Sequence, residues 1–240
     1  MSLDDDKCAA RERIWSALIE AEISAPDAHG HIPQFVGSDS AADLLATTDA
    51  WRRARTVKAN PDTAQLLMRA RALTEGKILY MAVPKIATIE PFYLIDPAHS
   101  TLPPGQAASS STAAHASPRV GPEHMRPIDL IVCGTVAVNR EGVRLGKGAG
   151  YSDIEVALLI EDGLVTNDTL IVTTVHSLQV VDEPLPETAH DFRVDLIVTE
   201  KDIITCPRSP RPSGVIWSSM PADKIAAIPI LGLRAKENLS

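Results

Sequence analysis

The stretch "PIDLIVCGTVAVN" at 127–139 is apolar on both of the faces that a strand presents. Side chains of a strand alternate between its faces, so a run without polar alternation must be covered on both sides. That is the condition of a strand inside a parallel sheet with helices above and below. Similar runs recur as "KILYMAVP" at 77–84, "TLIVTTVH" at 169–176 and "RVDLIVTE" at 193–200. "PFYLID" at 91–96 is a weaker strand, and "GVIWSSM" at 214–220 is a further candidate. Helical periodicity occupies 5–22, 39–54, 62–75 and 151–163, with Pro61 opening the third and Gly76 and Gly163 closing the last two. The residues from 222 onward read as short helices interrupted by Pro229. Strands alternating with helices predict an α/β fold with three α/β/α layers around a mainly parallel central sheet.

A single domain over 1–240 is expected, because no linker is followed by a second core. The segment 101–123, "TLPPGQAASSSTAAHASPRVGPE", is rich in Pro, Ala, Ser and Gly and reads as a mobile surface loop over a site. Aromatics make up 4% of the chain, so aliphatic side chains must build the core. The formal charge of −8 argues against a general nucleic-acid binder and leaves room for a local basic pocket. Cys8, Cys133 and Cys206 are odd in number and form no CxxC pair, which points to a reducing compartment rather than a disulfide framework. "MSLDDDK" is acidic where a signal peptide would be basic. The longest apolar run, 130–138, is far short of the ~20 residues that cross a bilayer. A cytoplasmic protein without a membrane partner is expected.

The twelve residues "GVRLGKGAGYSD" at 142–153 follow the strongest strand and precede a helix. Ligands of α/β sheets sit outside the carboxyl ends of strands, and helix N-termini present free N–H groups to anions. Gly146, Gly148 and Gly150 allow close backbone approach, Arg144 and Lys147 add charge, and Asp153 is placed to hold Mg²⁺ between phosphates. These residues suggest a triphosphate site. The spacing is neither that of a P-loop nor the GxGxxG of a dinucleotide fold. By itself, a tight structural turn with solvated cations would also explain one or two of the glycines.

The stretch resembles the G-x-R-L-G-x-G-x-G-Y-Y-D signature of the 5-formyltetrahydrofolate cyclo-ligases, also called methenyltetrahydrofolate synthetases. Gly142, Arg144, Leu145, Gly146, Gly148, Gly150, Tyr151 and Asp153 fall in register with it. Lys7 and Arg11, four residues apart on the first helix, and Asp191 and Asp195 in "HDFRVDLIVTE" agree with the same family. "KANPD", "GKILYMAVP", "GKGAGYSDIE", "TTVHSLQVV" and "GVIW" resemble its methenyltetrahydrofolate synthetase domain-containing branch. The resemblance covers about 5–204. Two positions depart from the enzymes: Ser152 replaces the second Tyr, and Lys58 stands near the place of an acidic residue that helps hold the pterin.

The resemblance implies an ATP- and Mg²⁺-dependent cyclisation of 5-formyltetrahydrofolate to 5,10-methenyltetrahydrofolate. The formyl oxygen is phosphorylated, N10 attacks the activated carbon and phosphate leaves. Lys7, Arg11, Arg144 and Lys147 would then grip phosphates, with Arg144 and Lys147 nearest the chemistry. Gly146, Gly148 and Gly150 would supply amides, and Tyr151 would line the join between nucleotide and folate. Asp153 and Asp191 would hold Mg²⁺, and Lys58, Tyr151 and Ser152 would face the reduced folate. The alternative is a nucleotide- or folate-binding protein of the same fold without turnover, which Ser152 and Lys58 favour. A third reading draws on the sugar-phosphate isomerases and coenzyme A transferases, which share the broad fold, but no glutamate nucleophile stands in a suitable loop. His29 and His31 in a Pro/Gly loop, His176 at a strand end, Cys133 inside a strand and the basic "CPRSPRPSG" at 206–214 read as structural features.

Overall fold

Ser2 and the aspartates after it start the first helix. The Ser2 hydroxyl accepts from the Asp5 amide and the Asp5 carboxylate accepts from the Ser2 amide, a capping box, while Asp4, Asp5 and Asp6 sit at the positive end of the helix dipole. In the computed structural model, which describes residues 2–238, this is α1 (Leu3–Glu20). There follow α2 (Ser38–Ala46), α3 (Asp49–Arg53), β1 (Thr56–Ala59), α4 (Leu66–Thr74), β2 (Ile78–Ala82) and β3 (Phe92–Ile95). Next come α5 (Pro104–Ala107), α6 (Ser110–Ala116), β4 (Arg119–Val120), β5 (Leu130–Cys133), β6 (Ala137–Asn139), β7 (Arg144–Leu145) and α7 (Tyr151–Glu161). The chain continues through β8 (Leu170–Thr174), β9 (Val180–Val181), β10 (Leu196–Val198) and β11 (Ile203–Thr205) to α8 (Ala222–Ala227) and α9 (Pro229–Asn238).

The main sheet has eight strands in the order β11-β10-β8-β5-β1-β2-β3-β4. Its centre, β10 through β2, pairs in parallel. The edges, β11 on one side and β3 and β4 on the other, pair antiparallel. Strand alternation divides the central residues between two cores. Val57, Leu79, Leu130 and Val132 pack with Leu45 of α2, Met68 and Ala72 of α4 and Ala107 of α5. Tyr80, Ile131, Cys133 and Ile171 pack on the other face with Val156 and Leu159 of α7. This is the expected three-layer arrangement around a mainly parallel sheet.

Several boundaries differ from the sequence reading. The helix expected over 39–54 breaks at Thr47 and Thr48, whose hydroxyls donate back to Leu44 and Leu45 carbonyls, and Thr48 then caps α3. Strand β1 lies in the stretch between the helices expected over 39–54 and 62–75, where the sequence reading places no element. The run 127–139 is two strands, parted where Gly134 passes Ile32 so closely that a Cβ would lie 2.9 Å from its side chain. Beyond that point β6 leaves the main sheet to join β7 and β9 in a sheet of three, covered by Ile14 and Leu18 of α1. The segment 101–123 is not a plain loop: it carries α5 and α6, and buries Ala107, Ala108 and Ala113 against the first core. The strand candidate at 214–220 is a short 3₁₀ turn at Trp217–Ser219.

Candidate functional site

Strands β1 and β5 are neighbours, and their crossover helices, α4 and α7, pack on opposite faces of the sheet. Beyond their carboxyl ends the chain diverges and leaves a crevice, the usual ligand position in open α/β sheets. A cavity of about 290 Å³ fills it, lined among others by Asn60, Asp62, Gly134, Arg144, Lys147 and Ser152.

The glycine stretch forms one wall. It leaves the sheet of three at β7 and turns into α7 at Gly150, whose φ of 72° is left-handed. No side chain caps α7, so its first amides have no capping hydrogen bond. Gly148, with φ of 105°, lies beneath the Arg11 guanidinium, 3.5 Å from where a Cβ would stand. Arg11 Nε donates to the Gly146 carbonyl at 2.7 Å, and thereby ties α1 to the loop.

The expected cations converge here, each with a partner. Lys7 is buried and ion-pairs with Asp191. The Arg144 guanidinium bonds Asp153 at 2.8 Å and stacks 3.9 Å from the centre of the Phe192 ring, while its Nε is buried without a hydrogen-bond partner. Lys147 reaches Asp62 at 2.9 Å from a half-exposed position. Burial first, and then the nearby Arg144 charge, lower the pKa of Arg11. Two guanidiniums in one place favour an anion between or beside them.

The two expected metal ligands share a pattern. Asp153 accepts Arg144 and the Phe192 amide through Oδ1, and Asp191 accepts Lys7 and Thr188 through Oδ2. The other oxygen of each carboxylate has no protein hydrogen bond among the described residues. Burial, with the Asp191 charge nearby, pushes the Asp153 carboxyl up against the opposing pull of Arg144. Burial would also raise Asp191, but the Lys7 and Thr188 bonds outweigh it and hold that carboxyl low. Among the described residues no group of three or more His, Cys, Asp or Glu gathers to hold a metal by itself. Two carboxylates with one free oxygen each instead fit Mg²⁺, which commonly takes one or two carboxylates and completes its shell with phosphate and water.

The structure separates the three residues expected to face a folate. Tyr151 and Ser152 line the cavity at the start of α7, and Ser152 Oγ accepts from Asn60 Nδ2 at 3.3 Å. Lys58 does not line it. Alternation places Lys58 on the α7 side of β1, fully buried, where it ion-pairs with Glu155 and lies 3.4 Å from Asn60 Oδ1. Burial raises the Glu155 carboxyl, against Lys58. Asn60, Asp62 and Glu155 thus enter the site from outside the expected set. "KANPD" was the stretch that carried two of them, but a lone sequence could not show that Lys58 turns inward to a helix 97 positions later. Lys85, at the cavity rim, and Ile86 beside it both have left-handed backbone, with φ of 60° and 52°. Such geometry strains non-glycine residues and recurs at ligand sites.

The features set aside behave as structural parts. The His176 ring caps the turn at Ser177–Gln179, and His29 bonds Glu12. Among the described residues no helix is long and apolar enough to cross a membrane.

Comparison with known proteins agrees with this architecture. The sequence model of the 5-formyltetrahydrofolate cyclo-ligase family matches residues 5–200. A mouse methenyltetrahydrofolate synthase domain-containing protein is 37% identical over 246 residues, covering 96% of this chain and 64% of the mouse protein. Its human counterpart is 36% identical over 242 residues, covering 95% of this chain and 61% of the human one. The chain therefore spans less than two thirds of the length of these relatives. The structure of Aquifex aeolicus 5,10-methenyltetrahydrofolate synthetase superposes with a TM-score of 0.55 at 21% identity, over 85% of this chain and 94% of the other, and shares the fold. The chain belongs to the 5-formyltetrahydrofolate cyclo-ligase family.

Proposed function

We propose that this chain catalyses the ATP- and Mg²⁺-dependent cyclisation of 5-formyltetrahydrofolate to 5,10-methenyltetrahydrofolate. The observation that carries this reading is the convergence of Arg11, Arg144 and Lys147 on the glycine loop at the sheet crevice, beside two carboxylates that each keep a free oxygen. Arg11, Arg144, Lys147 and Lys7 bind and orient the triphosphate. The glycine loop and the first amides of α7 receive the charge that grows on the transferring phosphoryl group. Asp153 and Asp191 would hold Mg²⁺, which would neutralise phosphate charge. Asn60, Tyr151 and Ser152 orient the folate so that its formyl oxygen lines up with the γ-phosphorus. That oxygen forms a bond to phosphorus as ADP leaves. N10 then bonds to the activated carbon and loses its proton, and phosphate departs with the former formyl oxygen. The work asked of the protein is positioning and charge stabilisation, so a nucleophilic side chain is not needed.

One observation favours a second reading, a nucleotide- or folate-binding protein without turnover. All three carboxylates that line the cavity are engaged by cations: Asp62 by Lys147, Asp153 by Arg144 and Glu155 by Lys58. A pterin would then meet no carboxylate there that a cation does not already hold. Nucleotide titration together with an assay for methenyl product separates the two readings. Binding with turnover supports the first, and binding alone supports the second. The aliphatic core, the acidic charge and the cysteine usage support a cytoplasmic setting.

A further inference from the structure

Residues 201–240 lie beyond the range 5–200 that the family's sequence model matches. They are nevertheless fastened to the site. Arg211 forms a buried ion pair with Asp195. Gly214, with φ of 108°, passes so near Glu161 that a Cβ would lie 2.6 Å from its Cγ. The Val215 amide and the Trp217 indole both donate to Glu161 Oε1 at 3.1 Å. Ile228, Ile230 and Leu231 are buried against Ile86 and against Ile154 and Leu158 of α7. This packing brings α8 to the start of α7. There Lys224 Nζ donates to the Ala149 carbonyl at 2.8 Å and sits 4.5 Å from the centre of the Tyr151 ring. A cleft of about 160 Å³ between this segment and α7 shares Gly150 and Asp153 with the main cavity.

We infer that Lys224 is a positioning residue of the glycine loop, supplied by the C-terminal segment beyond the matched range of the family model. The inference rests on the assignment of that loop to phosphate. The argument is geometric. A trans peptide turns its N–H opposite to its C=O. Holding the Ala149 carbonyl therefore fixes the Gly150 N–H on the side away from Lys224. Gly150 has free space around its α-carbon and a backbone conformation open to rearrangement, so the glycine itself does not fix this direction. The hydrogen bond from a charged donor does so, and the cation over Tyr151 holds the side chain of the next residue in place. Lys224 does not line the main cavity; it acts through the backbone at 149–150.

The test uses the full chain with Lys224→Met, which keeps most of the aliphatic stem, and Lys224→Arg, which keeps charged donors. Hydrogen exchange at the amides of 148–151 reads loop order without ligand. Calorimetry with MgATP reads its consequence. The expected result is faster exchange in Lys224→Met and MgATP binding weaker by about tenfold, as for loss of a charged hydrogen bond. In Lys224→Arg both should return near the parent values. Parent-like exchange in Lys224→Met overturns the inference. So does fast exchange in both variants, which would mean that the loop responds to side-chain fit rather than to the donated bond. If the parent chain does not bind MgATP, the exchange comparison still decides the role of Lys224, and it is the nucleotide assignment that fails.

Discussion

Arg144 and Asp153 form an ion pair at 2.8 Å across the glycine loop that joins them, with the arginine side chain only 2% exposed. Removing one member of a buried pair leaves the other uncompensated, which costs about 3–5 kcal/mol. Arg144→Met and Asp153→Asn should therefore both lower the stability measured by urea unfolding. Lost ligand binding in either variant would report on loop structure as well as on direct contact. Stabilities equal to the parent's would contradict the buried-pair account.

Lys147 offers the cleaner probe of phosphate binding. Its side chain is 40% exposed, and its protein partner, Asp62, is a largely buried carboxylate of the cavity wall. Lys147→Ala should cost no more than about 1 kcal/mol of stability, the scale of a partly exposed ion pair. MgATP affinity should fall by about tenfold, the scale of one charged hydrogen bond. Calorimetry of the folded variant checks this, and unchanged affinity would remove Lys147 from the site.

The sequence was most readable where one principle decided the outcome. Unbroken apolar runs marked the central strands, and the spacing of Gly146, Gly148 and Gly150 beside Arg144 marked the wall of the crevice. It was least readable where partners are distant. Lys7 meets Asp191 across 184 positions, and Lys58 meets Glu155 across 97. Helical periodicity places Lys7 on a polar face and gives no sign that the face is buried. Alternation within β1 points Lys58 inward, but β1 was itself hidden, because four residues containing a lysine carry little strand signal. Gly134 read as part of a single strand for a similar reason: its need for a small side chain arises from Ile32, a tertiary contact.

Glu200 gives the fold a marked acid response. Burial would raise its carboxyl, but the Ser177 hydroxyl and amide and neighbouring Lys201 outweigh it, and the pKa falls from 4.5 to about 2. The unfolded chain therefore binds more protons between these values, so the stability this group contributes is present above 4.5 and is lost as pH falls toward 2. Glu200→Gln should be less stable at neutral pH and should show a shallower decline through that window. Urea titrations at about pH 6 and about pH 3 make the comparison. Parallel declines in parent and variant would show that Glu200 is not the source.

Two glycines near the site should respond differently to alanine. At Gly142, with φ of 81°, a Cβ would lie 2.3 Å from the Val194 carbonyl oxygen, whereas at Gly150, with φ of 72°, nothing lies within 4 Å. Gly150→Ala should cost about 1–2 kcal/mol, the penalty of a left-handed conformation alone. Gly142→Ala carries that penalty and a backbone clash, so its melting temperature should fall further. The reverse order would show that the turn at 139–143 differs from the one described.

The central claim is cyclisation at the crevice between β1 and β5. The most direct measurement mixes the protein with 5-formyltetrahydrofolate, ATP and Mg²⁺ and follows the near-ultraviolet absorbance of the methenyl product. The account predicts a rise that requires protein, ATP and Mg²⁺ together and that is strongly reduced in Lys147→Ala. No rise from a folded protein that still binds MgATP would contradict it, and would leave a binding protein on a cyclo-ligase fold.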